Sequence, residues 1–106
     1  MKIAVISTDN KNVDLHLGKG VSAYIYFFKQ DFEFSEHRVI DIDVNLKHQG
    51  SKVLEVLSDC NVIIAQDFGF KSKVNADSKN ITLYKFDGSV DDALKDFINW
   101  YEVMNS

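Results

Sequence analysis

The segment between positions 13 and 20, which reads VDLHLGKG, contains the residues best suited to chemistry. His16 offers a neutral imidazole, which is the commonest side-chain ligand for transition metals. Lys19 offers a positive charge, and Gly18 allows the backbone to turn tightly. The combination predicts a loop that binds a metal ion or an anionic group. The residues alone favour a second interpretation, in which His16 only orders the loop through a hydrogen bond to the backbone.

Two other loops carry residue types that could join the same site. The loop before the first predicted helix contains His48, and the loop after the fourth predicted strand contains Gly69 and Lys71. Helices begin beside these loops, and because a helix N-terminus carries about half a positive charge, nearby lysines favour an anion there. The alternative for each is a solvated side chain or, for the glycine, a simple turn. His37 lies within a predicted edge strand and is interpreted as a surface residue.

The hydrophobic pattern predicts the elements that position these loops. Short continuous apolar runs at residues 3–6 and 62–65 are typical of buried strands in a parallel sheet, and alternation at 32–42 indicates an edge strand. Ser51 and Ser89 precede helically spaced apolar residues and are predicted helix caps. The predicted strands cover residues 2–7, 22–29, 32–42, 61–65 and 81–86, and the predicted helices cover residues 51–58, 69–77 and 90–104.

The order of these elements predicts an α/β fold with one five-stranded mixed sheet and three helices. Right-handed crossovers place the strands in the order 3-2-1-4-5, with only strand two antiparallel. Ligands of such sheets bind at the carboxyl ends of the strands, beside the point where the chain changes direction across the sheet. The loops with His16, His48 and Lys71 all lie at that end. Cys60 precedes strand four and lies about 15 Å away at the opposite end, so it is predicted to be a buried core residue.

Length, charge and cysteine content narrow the classes of function. A chain of 106 residues fits one domain, residues 1–106. The net charge of −4 argues against a nucleic-acid binder, which needs clustered positive charge. A single cysteine excludes an internal disulfide and a tetrathiolate metal site. No apolar run reaches the roughly 20 residues of a membrane span, and no secretory signal is evident. We therefore expect a cytoplasmic protein without membrane contact, and we expect a monomer.

A two-metal nuclease is a rival function for a sheet of this kind, and the sequence argues against it. Sites of that class need several carboxylates that converge on the sheet. The segments 2–7 and 62–65 contain no Asp or Glu, and Asp9, Asp14 and Asp67 lie in loops. No Ser-His-Asp or Cys-His arrangement indicates a nucleophilic enzyme. The chain is therefore predicted to be a binding protein and not an enzyme.

Several of these features occur together, and in the same order, in one family. They are the first strand, the motif His16-Leu17-Gly18, the loop His48-Gln49-Gly50, the segment DCNVII at 59–64, and Gly69. On these motifs, which span essentially the whole chain, the sequence resembles the dinitrogenase iron–molybdenum cofactor biosynthesis family. The resemblance implies a ribonuclease H-like fold. It also implies a small, non-enzymatic accessory protein, since some members of the family carry the nitrogenase cofactor or a precursor metallocluster.

The resemblance also assigns roles to individual residues. His16 corresponds to the histidine with which the family is thought to hold the cofactor. The implied cargo is an iron–molybdenum or iron–sulfur cluster precursor, exchanged with cofactor-assembly proteins. The implied cofactor-binding residues are His16, Gly18, Lys19, His48, Gly69 and Lys71, of which His16 and His48 are the implied metal ligands. The alternative is a small interaction or regulatory module that has lost cluster binding, because the loop before the first helix retains only His48, Gln49 and Gly50 of its ligand-type residues.

Overall fold

A mixed β-sheet forms the centre of the protein in the computed structural model, which describes residues 1–105. The strands are β1 (Lys2–Ile6), β2 (Asn12–Val13), β3 (Ser22–Phe28), β4 (Phe32–Val39), β5 (Val62–Ala65), β6 (Thr82–Lys85) and β7 (Gly88–Ser89). The helices are a 3-10 helix (Leu17–Lys19), α1 (Gly50–Val56), α2 (Phe70–Ser78) and α3 (Val90–Met104). Five strands form the main sheet in the order β4-β3-β1-β5-β6. This order confirms the predicted order 3-2-1-4-5.

The strand directions also agree with the prediction. β1 pairs antiparallel with β3 and parallel with β5. β4 is antiparallel to β3, and β6 is parallel to β5. β3 is therefore the only strand of the main sheet that opposes the others. The chain changes direction across the sheet between β1 and β5, so the loops that follow these two strands meet at one end.

Alternate residues of the central strand face two separate cores. Ile3 and Val5 of β1 pack toward α3, where they join Phe97. Ala4 and Ile6 face the other way and join the core that contains residues of α1 and α2. Burial on both faces explains why β1 is continuously apolar rather than alternating. Within residues 1–105, no helix has both the length and the apolar character needed to cross a bilayer.

The two predicted helix caps have different outcomes. Ser89 caps α3 as predicted, because its hydroxyl accepts a hydrogen bond of 3.0 Å from the Asp92 N–H. The prediction for Ser51 is wrong, since α1 begins at Gly50 and its N-cap is Gln49. The absence of a Cβ at Gly50 has a packing reason. A Cβ there would lie 2.7 Å from Ser72 Oγ, so glycine lets α1 start close against α2.

A small two-stranded sheet, which the sequence did not predict, closes the long loop after β1. Asn12 of β2 pairs with Ser89 of β7, and the Val90 N–H donates to the Lys11 carbonyl over 2.9 Å. Two-residue strands carry no periodicity of their own, and this pair joins segments that are far apart in the chain. The pairing fixes the start of α3 against the loop that leads to His16.

An ion network closes the other end of the sheet, where the parallel strands begin. Arg38 binds Asp59 with two parallel hydrogen bonds of 2.6 and 2.7 Å, and Lys2 binds the same carboxylate over 2.5 Å. Arg38 also donates to the Val56 carbonyl at the end of α1 and to Glu36. The network therefore joins β1, β4 and the connection between α1 and β5. The arginine hydrogen bonds hold the pKa of Asp59 well below its usual range.

Cys60 is buried beside this network, as predicted, and burial raises the pKa of its thiol to about 12. Because the thiolate is the reactive form, we expect a thiol reagent at pH 8 to label native Cys60 at least about a hundredfold more slowly than the denatured chain. Labelling rates in buffer and in denaturant, followed by mass spectrometry, measure this ratio. Rates within tenfold of each other would mean that the junction between α1 and β5 opens readily.

Candidate functional site

The loop that contains His16 is a short ordered turn. His16 is the N-cap of the 3-10 helix, and its Nδ1 accepts a hydrogen bond of 3.3 Å from the Gly18 N–H. Leu17 points inward and is fully buried, whereas His16 and Lys19 are exposed. Gly20 ends the turn under tight packing, since a Cβ there would lie 3.0 Å from the Leu17 carbonyl oxygen. The loop therefore holds one residue in the core and presents its two candidate binding residues to solvent.

Backbone hydrogen bonds fasten this loop to the carboxyl end of β5. The Leu17 N–H donates to the Asp67 carbonyl over 2.9 Å, and the Gln66 N–H donates to the Leu15 carbonyl over 3.0 Å. His16 and Asp67 consequently form an isolated parallel bridge. The structure thus places the His16 loop directly beside the loop that leads to Gly69, as the topology predicted.

His48 and Lys71 line one shallow cavity of about 220 Å³ between the starts of α1 and α2. Gly50, Ser51, Ser72 and Asn75 complete its lining. His48 adopts a left-handed backbone conformation with φ of 61°, which is uncommon outside glycine and asparagine and marks a sharp turn into α1. Gly69 is the N-cap of α2 and makes no side-chain cap, and no atom lies within 4 Å of where its Cβ would be. The space beside Gly69, at the N-terminus of α2, is therefore open.

The predicted site residues form two adjacent groups rather than one. His48 and Lys71 share the cavity, whereas His16 and Gly18 lie on the neighbouring 3-10 turn. Lys19 connects the turn to a third loop, because its ammonium group donates to the Val44 carbonyl. As found, Lys19 thus serves as a loop anchor, and Lys71 is the exposed cation at the cavity.

One charged pair at this end was missed by the sequence analysis. Lys85, the last residue of β6, binds Asp67 over 2.8 Å and lies 5.2 Å from the centre of the Phe68 ring. The hydrogen bond from Lys85 lowers the pKa of Asp67, which stays ionised beside His16. The position of Lys85 at the carboxyl end of a parallel strand could have identified it as a candidate site residue. It was overlooked because the alternation of residues 81–86 indicated only that the segment is a strand.

The donor set does not form a metal cage. Among residues 1–105, no three His, Cys, Asp or Glu side chains are grouped to hold a metal ion. A neutral His16 that accepts at Nδ1 carries its hydrogen at Nε2, so coordination through Nε2 requires the contact with Gly18 to break. That contact is long, and breaking it costs about 1 kcal/mol or less. The residues fit an anionic group that brings most of its own ligands and takes no more than two imidazoles from the protein.

Comparison with solved structures shows that the fold recurs. The protein PH0822 superposes with a TM-score of 0.75 at 17% identity, over 93% of this chain and 91% of that one. A Thermotoga protein provisionally named NifB gives a TM-score of 0.62 at 20% identity, over 92% and 87%. A Methanocaldococcus jannaschii protein provisionally named a dinitrogenase gives 0.64 at 24% identity, over 93% and 88%. At these identities the likeness concerns the fold alone.

Comparison by sequence identifies the family. No curated protein sequence matches the chain. A family model described as dinitrogenase iron-molybdenum cofactor matches residues 1–99, which is nearly the whole chain. This span includes His16, His48 and Lys71, together with all five strands of the main sheet. The chain therefore belongs to the dinitrogenase iron-molybdenum cofactor family.

Proposed function

We propose that the protein is a non-enzymatic carrier for an anionic iron–sulfur or iron–molybdenum cluster precursor, and that it exchanges this cargo with cofactor-assembly proteins. The observation that carries the proposal is the placement of His16. In a chain whose family is matched over residues 1–99, this histidine is exposed at the carboxyl end of the sheet, next to the cavity of His48 and Lys71.

Each residue has a distinct part in this proposal. His16 supplies one imidazole ligand to the cargo, and its release from Gly18 accompanies loading. Lys71 and the N-terminus of α2, which has no side-chain cap at Gly69, supply positive charge and backbone N–H groups for an anion. His48, which lines the neighbouring cavity, supplies a second imidazole. A site with so few protein ligands suits a cargo that is later handed to another protein.

An interaction module without cluster binding is the second candidate, and the exposed apolar side chains favour it. Phe70 at the start of α2 is 81% exposed, and Leu46 in the preceding loop is 52% exposed. Both lie at the candidate end of the sheet. Exposed apolar side chains are typical of surfaces that bind another protein, because binding buries them away from water. This candidate keeps the fold and the surface and needs no ligand at His16.

Anaerobic titration separates the two candidates. We expect the wild type to retain iron from an isolated iron–molybdenum cofactor or a reconstituted iron–sulfur precursor, as absorbance and metal analysis after desalting report. His16→Ala should weaken retention at least tenfold, a loss of about 1.4 kcal/mol. His48→Ala and Lys71→Ala should weaken it less, since each supplies one contact to a cargo held mainly at His16. His37→Ala is the matched control, because it removes an exposed histidine on the edge strand β4, which β3 separates from β1 and the His16 loop.

A thermal melt of each variant shows whether a loss of iron retention results from a loss of stability. Because His16 is exposed and caps only a three-residue turn, its replacement should lower the free energy of unfolding by only about 0.5 kcal/mol. A wild type that retains no iron under conditions where an authentic carrier does would support the interaction module. A melt several degrees lower with unchanged retention would make His16 a loop anchor.

A further inference from the structure

The outer edge of the main sheet is formed by β4, which pairs with β3 on one side only. The strand is eight residues long, and six of those residues are exposed. An open strand of this length presents a row of unpaired backbone N–H and C=O groups, which can template pairing with another chain. The charges and bulge of this edge determine what can pair with it.

The direction of each backbone group in β4 follows from the pairing of β3. The Phe28 N–H donates to the Met1 carbonyl, and the Ser7 N–H donates to the Ser22 carbonyl, so the even-numbered residues of β3 bond to β1. The odd-numbered residues of β3 therefore bond to β4, because bonding direction alternates along a strand. Their partners in β4 are Glu33, Glu36 and Arg38, and the residues whose backbone groups point outward are Phe32, Phe34, His37 and Val39.

A bulge at Ser35 gives these outward residues an unusual spacing. Ile25 pairs with Glu36 and Tyr26 pairs with Phe34, so Ser35 is the extra residue. In an unbulged strand, all outward residues would have the same parity. Here two lie on each side of the bulge with opposite parity. A bulge often protects an edge, but in this strand it makes the outward groups symmetric about a point between Ser35 and Glu36.

We propose that β4 is a dimerisation edge, on which a second copy of the chain pairs antiparallel about a two-fold axis between Ser35 and Glu36. In this register Phe34 lies opposite the partner's His37, and Phe32 lies opposite the partner's Val39. All four residues have outward backbone groups, so each of these pairs can exchange two hydrogen bonds. The contact is isologous and closes as a dimer. It continues the sheet across ten strands.

The side chains are complementary in the same register. Phe32, Phe34 and His37 lie on the face of β4 that carries the aromatic contacts with β3. Across the dimer this face would bring apolar and aromatic side chains together, which stabilises cross-strand pairs. On the other face, Glu33 lies opposite the partner's Arg38. Arg38 already donates to Glu36, Val56 and Asp59 within its own chain, so this pair adds an attraction between opposite charges but no new hydrogen bond.

This inference departs from the monomer expected from the sequence, and it predicts a weak dimer. A single strand pair buries less surface than a standard protein interface of about 1,600 Å². Sedimentation velocity from about 10 µM to about 1 mM covers the range of affinities that such small contacts give. We expect the weight-average mass of the wild type to rise toward that of a dimer over this range.

Val39→Pro tests the backbone contact, and Val39→Thr is its matched control. Val39 is 78% exposed and its N–H points outward, so proline removes a hydrogen-bond donor of the dimer without removing one that binds β3. Two donors are lost per dimer by symmetry, so we expect the dimer affinity to fall at least about tenfold. Val39→Thr keeps the N–H and should stay within about twofold of the wild type.

A second measurement needs no variant. In a mixture of isotope-labelled and unlabelled wild type, a filtered nuclear Overhauser effect should join the Phe34 ring of one copy to the partner's His37. A wild type that remains monomeric at about 1 mM would overturn the proposal. So would a dimer whose intermolecular contacts involve other residues, or one that Val39→Pro leaves at wild-type affinity.

Discussion

Replacing Leu17 by alanine should lower the free energy of unfolding by about 2–5 kcal/mol, the usual range for a leucine buried in a core. Leu17 has no exposed surface, and it belongs to the core that contains Ile6 and Leu54. Its side chain also reaches the start of α1 beside Gly50. Truncation therefore leaves a cavity where the loop, the sheet and the helix meet. Chemical denaturation of the wild type and the variant measures the difference.

The variant should also disturb the candidate site. The buried Leu17 side chain anchors the 3-10 turn in the core, and the Leu17 N–H donates a hydrogen bond to the Asp67 carbonyl. We expect His16 resonances to broaden or shift in Leu17→Ala, because the turn loses its anchor in the core. Leu46→Ala is the control, since that side chain is 52% exposed and its loss should cost about 0.5 kcal/mol or less. Equal losses for the two leucines would contradict the anchoring role of Leu17.

The main sheet was predictable because the residue types and hydrophobic pattern within each segment are enough to identify it as a strand. Continuous apolar runs identified β1 and β5, and aromatic and β-branched residues identified β3. Right-handed crossovers then fixed their order. The cap at Ser89 was also readable, because its partner Asp92 stands three residues later. Each of these features depends on residues that are close in the sequence or on a general rule of chain topology.

The arrangement of the candidate site was only partly predictable. Topology placed His16, His48 and Lys71 at one end, but it could not say that two of them share a cavity while the third caps a turn. The bond from Lys19 to the Val44 carbonyl depends on the path of a polar loop. The pair of Asp67 with Lys85 joins segments 18 positions apart. Such contacts are set by tertiary packing and leave no periodic signal in the sequence.

The network at the other end of the sheet has a similar origin, since Arg38, Asp59 and Lys2 come from three distant segments. Its effect on stability should be large for a surface feature. Asp59 accepts two hydrogen bonds from one guanidinium and a third from Lys2, a geometry that is stronger than an isolated ion pair. Its side chain is 44% exposed, so solvent screens part of the attraction. With that discount, Asp59→Asn should lower the free energy of unfolding by about 2 kcal/mol at pH 7.

The pH dependence gives this prediction its sharpest form. Hydrogen bonds from Arg38 and Lys2 lower the pKa of Asp59 in the folded state below its unfolded value of about 3.9. The resulting stability is fully present above the unfolded pKa and is lost as the pH falls from there toward the folded pKa. The difference in unfolding free energy between wild type and Asp59→Asn should therefore be constant above about pH 5 and should shrink progressively as the pH falls below about 4. Urea denaturation at a series of pH values measures this difference.

Asp77→Asn is the matched control for this series. Asp77 forms one exposed ion pair of 2.7 Å with Lys73 on the surface of α2, and removal of such a pair costs about 0.5 kcal/mol or less. Its curve should follow the wild type across the whole pH range. If Asp59→Asn follows the wild type as closely as Asp77→Asn does, the three-segment network contributes no more than an ordinary surface pair. The connection between α1 and β5 would then be held by its buried side chains, including Leu57 and Cys60.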